Sequence, residues 1–148
     1  MKLDYQWLET EVFKRPLGDN ERQVLANAME VIAVPPNMPI MHQGAQPSAL
    51  FLLRSGFVNI VRKSGERETV VAARDNSKTF GEISLLGGEP VSASVIADIQ
   101  CTVYKISRQN FLCLMQEHSA LALDLMAFIV RNMGEVIRRL DARQANRH

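Results

Sequence analysis

Between Val31 and about Ile106 the chain is cut into short β-prone runs, and no other feature constrains its fold as strongly. The runs are VIAV before Pro35-Pro36, PIMHQG ending at Gly44, LFLLR ending at Ser55-Gly56 and FVNIVRK ending at Ser64-Gly65, followed by ETVVAA, VSASVIAD and QCTVYKIS. Proline and glycine punctuate each run because one removes a ladder donor and the other supplies turn conformations that side chains resist. Strands this short, at a spacing of about 8–12 residues, predict a β-sandwich or β-roll.

Helical patterns flank the strands. Val24, Leu25, Ala28 and Met29 recur at helical spacing, so a helix is expected from a cap at Asp19 to about Glu30. Ser107 is placed to cap a helix through Glu117, and Ser119 a longer one reaching nearly to the end. With 148 residues the expectation is a single domain: helical over 1–30, β-roll over 31–106 and helical over 107–148.

Seventeen Lys plus Arg against sixteen Asp plus Glu leave a net charge of +1. Such a balance creates no overall field for nucleic acid or an anionic membrane. Cys101 and Cys113, both in apolar sequence surroundings, are too few and too irregular for a disulfide framework, so reduced cytosolic thiols are expected. The N-terminus carries acids where a signal peptide is apolar, and Asp124 interrupts the most apolar later segment, Ala120 to Val130. That segment falls far short of the roughly 20 residues needed to span a membrane. A cytoplasmic location follows as an expectation.

The last helix carries more apolar surface than one helix can bury. Met126, Ile129, Met133, Val136 and Leu140 are spaced 3, 4, 3 and 4 apart, as in a coiled-coil seam, with Leu121, Leu125, Phe128 and Ile137 on the flanks. The expectation is a homodimer through this helix, its flank lying on the chain's own β-roll. The alternative lays the whole face on its own domain.

Thr79 to Ala97, TFGEISLLGGEPVSASVIA, breaks the strand pattern with the chemistry of an anion cradle. Gly81 permits close backbone approach, the N–H groups over Glu82 to Leu86 can face an anion, and Ser92 adds a hydroxyl. A Gly-punctuated corner between strands gives the same string.

IMHQGAQPSALFLLRSGFVNI, followed by FGEISLLGGEP and then SAS and IA, resembles the cyclic-nucleotide-binding domain family of catabolite-activator-type regulators, nucleotide-dependent kinases and gated channels. Gly44 and Gly56 fall at that family's turn glycines, Phe51 and Leu53 in its core strand, and FGE with Leu85 and Leu86 in its phosphate-binding cassette. The resemblance covers essentially the whole chain. It implies an eight-stranded β-roll, mainly β with an N-terminal helix and two C-terminal helices, the last acting as lid and dimer seam. It implies a regulatory module binding cAMP or cGMP, with no further cofactor, and sets Gly81, Ile83, Ser84, Ser92 and Ala93 around the ligand. Glu82 then takes the ribose hydroxyl, and Val136 and Ile137 face the base without reading its edge.

One departure stands out. Where the family places the arginine that neutralises the cyclic phosphate, this chain has Val91. Losing a buried charge-assisted contact costs about 2–5 kcal/mol, or roughly 1.5–3.5 decades of affinity. Weak binding of a cyclic nucleotide or another small anion is therefore expected, and the alternative is a degenerate pocket on a dimerisation or protein-interaction domain. Arg54, Arg62, Arg74 and Arg108 are the candidate cations for replacing the missing charge, although each also suits a solvated position.

Competing chemistries find little support. His42, His118 and His148 lie far apart in sequence, no Ser sits in a nucleophile elbow and no Cys has a His partner, so neither a metal site nor an enzyme is expected. The methionines read as gap-fillers at core or seam positions. From Arg131 on, five arginines face Glu135 and Asp141, which suits a helix C-terminus. DNA binding is not expected, because no helix-turn-helix is seen before the sequence stops at His148.

Overall fold

The structure is a computed structural model that describes residues 2–46, 48–81 and 87–145, with backbone alone at 136, 137 and 139–145. Among the described residues eight strands form two antiparallel four-stranded sheets. They are β1 (Met29–Val34), β2 (Pro39–Met41), β3 (Ala49–Ser55), β4 (Val58–Ser64), β5 (Arg67–Asp75), β6 (Thr79–Phe80), β7 (Ser94–Ala97) and β8 (Cys101–Ser107). One sheet has the order β1-β8-β3-β6 and the other β2-β7-β4-β5. The helices are α1 (Tyr5–Trp7), which runs into a π-helical turn at Leu8–Phe13, α2 (Asp19–Ala28), α3 (Arg108–Glu117) and α4 (Ser119–Ala145).

The β3 sequence ALFLLRS explains how two cores share one sheet. Alternation sends Leu50 and Leu52 to one face and Ala49, Phe51 and Leu53 to the other, and all five are buried. Leu50 and Leu52, with Tyr104 and Ile106 of β8, pack under the helices against Leu8, Val12, Phe111, Leu121, Leu125 and Phe128. Ala49, Phe51 and Leu53 meet Val58, Phe80, Val95, Ala97 and Val103 inside the roll. β5 is an edge strand of the second sheet and leaves Val70 and Val71 half exposed. Gly56 closes the β3–β4 turn at φ +107°, where a Cβ would stand 2.6 Å from Cys101 Sγ.

Several boundaries differ from the sequence reading. Asp19 is the first helical residue of α2, not its cap; Gly18 occupies that place, and Glu21 Oε1 accepts its N–H at 3.1 Å. Ser119 likewise opens α4 from within, whereas Ser107 caps α3 as expected, its Oγ accepting from Asn110 N–H. β1 begins at Met29, because pairing of Met29 with Ile106 overrides helical continuation. VSASVIAD is strand only over Ser94–Ala97, and the two-residue β6 went unread for want of length.

α4 also corrects the seam. Ile129 is 3 % exposed and packs with Leu121, Leu125 and Phe128 on the chain's own core, so it is unavailable to a second copy. Among the described residues of α4 the exposed apolar ones are Ala120, Leu123, Ala127, Val130 and Met133. The side chains of Val136 and Leu140 lie outside the described residues. Cys113 is exposed, contrary to its apolar sequence surroundings, while Cys101 is buried with its thiol pushed to higher pKa by desolvation. Met38 and Met115 are exposed and fill no gap.

Candidate functional site

The site is built where the β2–β3 turn meets the segment leading into β7. Gly44 N–H donates to the Val91 carbonyl at 2.8 Å, and Val91 N–H donates to the Ala45 carbonyl at 3.0 Å. Gln43 reinforces this clip from both ends. Its N–H donates to Ser94 Oγ at 3.0 Å, and its side-chain amide bonds the Lys63 N–H and carbonyl on β4 at 2.7 and 2.9 Å. Residues 91–94 are thereby held between the turn and β4 by main-chain and amide bonds that do not titrate.

A cavity of about 140 Å³ opens beside the clip. Its apolar wall is Ile40, Met41, Ala49, Phe51 and Val91, and its polar edge is His42, Gln46 and Ser48. Among the described residues that line it there is no carboxylate, lysine or arginine. The described lining is thus mainly apolar and suits a ligand's bulk better than its charge.

Gly81 comes to the same place from β6. Its φ is +87°, and a Cβ there would lie 2.7 Å from the Ala49 carbonyl and 3.3 Å from Met41 Cε. Two constraints, the left-handed backbone and the approach to β3, therefore fix glycine at this position. Gly81 thus approaches Ala49 and Met41, which line the cavity together with Val91.

The other sequence-derived site residues divide. Ser92 is exposed and Ala93 is buried. Glu82, Ile83 and Ser84 lie outside the described residues, as do the side chains of Val136 and Ile137. Val91 itself is 7 % exposed, so the position where an arginine was expected is a buried apolar wall.

Of the four candidate cations, two are committed elsewhere. Arg54 pairs with Asp4 at 2.5 Å and lies over Trp7, and Arg74 faces Asp98 at 3.6 Å beside Phe57. Asp4 is held below the ordinary carboxylate range, first by the Trp7 N–H and then by Arg54. Arg108 donates its main-chain N–H to the Ser48 carbonyl at 2.9 Å. Arg62 is the one of the four whose guanidinium is placed at the cassette, with Nε donating to the Ser92 carbonyl at 3.4 Å.

Sequence reading missed the clip. Gln43, Ser48 and the wall residue Ile40 carry no motif chemistry of their own, and only the turn signal in PIMHQG and the stretch IMHQGAQPSALFLLRSGFVNI marked their neighbourhood. Among the described residues no group of His, Cys, Asp and Glu is arranged to hold a metal ion, and no helix is long and apolar enough to cross a membrane.

Comparison with known proteins places this geometry in a family. Residues 31–118 match the family model of the cyclic nucleotide-binding domain. The chain is 32% identical over 108 residues to the cyclic AMP receptor protein of Thermus thermophilus, covering 72% of this chain and 50% of that protein. It is 33% identical over 105 residues to a cAMP-dependent protein kinase regulatory subunit of Aspergillus fumigatus, covering 71% of this chain and 25% of that one. The chain thus spans half or less of these two relatives. The crystal structure of a cyclic nucleotide-binding domain from Methylobacillus flagellatus superposes with a TM-score of 0.81 over 97% of this chain and 84% of that one, at 19% identity, which speaks to the fold. With its two-sheet roll and a matched model over more than half its length, the chain belongs to the cyclic nucleotide-binding domain family.

Proposed function

We propose that this chain is a non-enzymatic regulatory module, a single domain over 1–148, whose pocket binds a cyclic nucleotide weakly and passes the event to its last helix. The observation that carries this reading is the close approach of Gly81 to Ala49 and Met41, two residues lining the cavity that Val91 walls, with Val91 clipped by main-chain bonds to Gly44 and Ala45. Relatives named as a cyclic AMP receptor and as cAMP-dependent kinase regulatory subunits support the ligand class. Weakness follows from Val91, since an apolar wall offers a phosphate neither charge nor hydrogen bond. Glu82, Ile83 and Ser84 before the clip, Ser92 and Ala93 after it, and Val136 and Ile137 on the lid complete the proposed site. A cytoplasmic homodimer fits this role, its two copies meeting along Leu123, Ala127, Val130 and Met133.

A second reading has its own observation. Val91 is buried among apolar neighbours, so the pocket can be a vestige on a domain that serves through the exposed stripe of α4 as an interaction unit. Calorimetric titration with cyclic AMP and cyclic GMP separates the two. Saturable heat with a Kd between roughly micromolar and millimolar supports the sensor. No heat from either nucleotide at millimolar concentration favours the interaction domain.

A further inference from the structure

Arg62 stands at a position that strand register, more than sequence, makes informative. β4 and β7 pair without a shift, Val58 against Ala97 and Ile60 against Val95. All four pack in the interior of the roll. Alternation then puts Arg62, two residues beyond Ile60, on that same interior face, level with Ala93 one step past the Val61 to Ser94 pair. Lys63 falls on the opposite face.

The guanidinium is oriented and still available. Its Nε donates to the Ser92 carbonyl at 3.4 Å, and among the described residues no carboxylate pairs with it. The side chain is exposed, so its interior face meets solvent here. From this placement we propose that Arg62 supplies the positive charge for an anionic ligand in this pocket, reaching the phosphate from β4 in place of the apolar Val91. The proposal rests on the reading of the pocket as a cyclic-nucleotide site and names the residue that recognises the anion there. A planar fork anchored through Nε keeps its two Nη groups for oxygen atoms, which a lysine at the same position does not reproduce.

The test uses the full chain with cyclic AMP as probe, and adenosine as the same base and sugar without phosphate. Because the contact is exposed, Arg62→Gln should weaken cyclic AMP about five- to tenfold and leave any adenosine binding unchanged. Lys63→Gln removes the same charge from the other face and should change neither. Raising salt from about 50 mM to about 500 mM should weaken cyclic AMP less in Arg62→Gln than in wild type. In a Val91→Arg background, Arg62→Gln should cost less than in wild type, since the two cations would serve one phosphate. If wild type binds cyclic AMP and Arg62→Gln binds it equally well, the assignment of Arg62 is overturned while the pocket reading stands. Equal losses in Arg62→Gln and Lys63→Gln overturn it too, by showing a general field. Absence of cyclic AMP binding to wild type overturns both.

Discussion

Val91→Arg should move stability and affinity in opposite directions, and the structure sets the size of each. Val91 is 7 % exposed and walls a cavity of about 140 Å³ whose other apolar neighbours include Ala49 and Phe51. The cavity admits the longer side chain, but its guanidinium gains no partner there without ligand. Overpacking and loss of hydration together cost about 1–3 kcal/mol. At this chain length that lowers Tm by roughly 3–10 °C. With cyclic AMP present the same group meets a phosphate in a largely desolvated setting, a contact of about 2–5 kcal/mol in buried cases. We take the low end, because Ser92 beside it is exposed, and expect at least about a tenfold gain in affinity. Ligand at about 100 times Kd adds roughly 2.7 kcal/mol, which restores most of the lost Tm. Thermal melts with and without cyclic AMP, paired with calorimetry, read both effects. A variant destabilised by that amount that binds cyclic AMP no better than a wild type that itself binds would refute the role of Val91.

Other predictions test the frame around the pocket. Gly81→Ala should cost about 1–3 kcal/mol in urea unfolding, because φ +87° and an approach of 2.7 Å to the Ala49 carbonyl must both be relieved; an unchanged midpoint would refute the close contact. Ile129→Glu should unfold the chain, since it buries a charge in the chain's own core, whereas Val130→Glu, at 67 % exposure, should leave Tm nearly unchanged. If the homodimer forms along that stripe, light scattering should give a dimer mass for wild type and a monomer mass for Val130→Glu; a monomeric wild type at tens of micromolar, about ten times a typical weak Kd, would refute the seam. Acid stability should depend on Arg15, which joins Glu21 at 2.7 Å to Asp124 at 3.0 Å and so ties α2 to α4. Arg15 holds the Glu21 carboxyl at about 2, against an ordinary 4.5, with help from the Gly18 N–H. A depressed carboxylate stabilises the fold above the ordinary value and loses that contribution as pH falls toward about 2. Both partners are about one-third exposed, so screening reduces the effect to about 1 kcal/mol. Glu21→Gln should flatten the acid limb of a stability curve by that amount; an identical curve would refute the assignment.

Much of the architecture was legible because period and punctuation agree with burial. LFLLR reads as a strand buried on both faces, and β3 is one. Ser107 was legible as a cap because its hydroxyl satisfies a donor within the next turn. The misreadings have a common physical origin, which is that long-range packing decided them. Asp19 has the chemistry of a cap, but Glu21 reaches back to Gly18 and moves the boundary by one residue. Ile129 fits a coiled-coil seam by spacing, yet the face that spacing defines is only about one residue away from the face that meets β3 and β8. β6, with two residues, has no period to read.

Within the site, Gly81 and the oddity of Val91 were legible from local chemistry and resemblance. The Gln43 clip was not, because its partners Lys63 and Ser94 lie 20 and 51 residues away. Arg62 looked like any solvated strand residue. Only the unshifted pairing of β4 with β7 turns it toward the interior face.

The central claim, that a cyclic nucleotide enters the cavity between Gly81 and Val91, is tested most directly by amide chemical-shift mapping of the full chain during titration with cyclic AMP. The account predicts saturable shifts at Gly44, Ala45, Gly81 and at Val91 through Ser94, with the groove between α2 and α3 near Asn27 and Cys113 undisturbed. Shifts confined to that groove, or no shift anywhere at millimolar ligand, would contradict it.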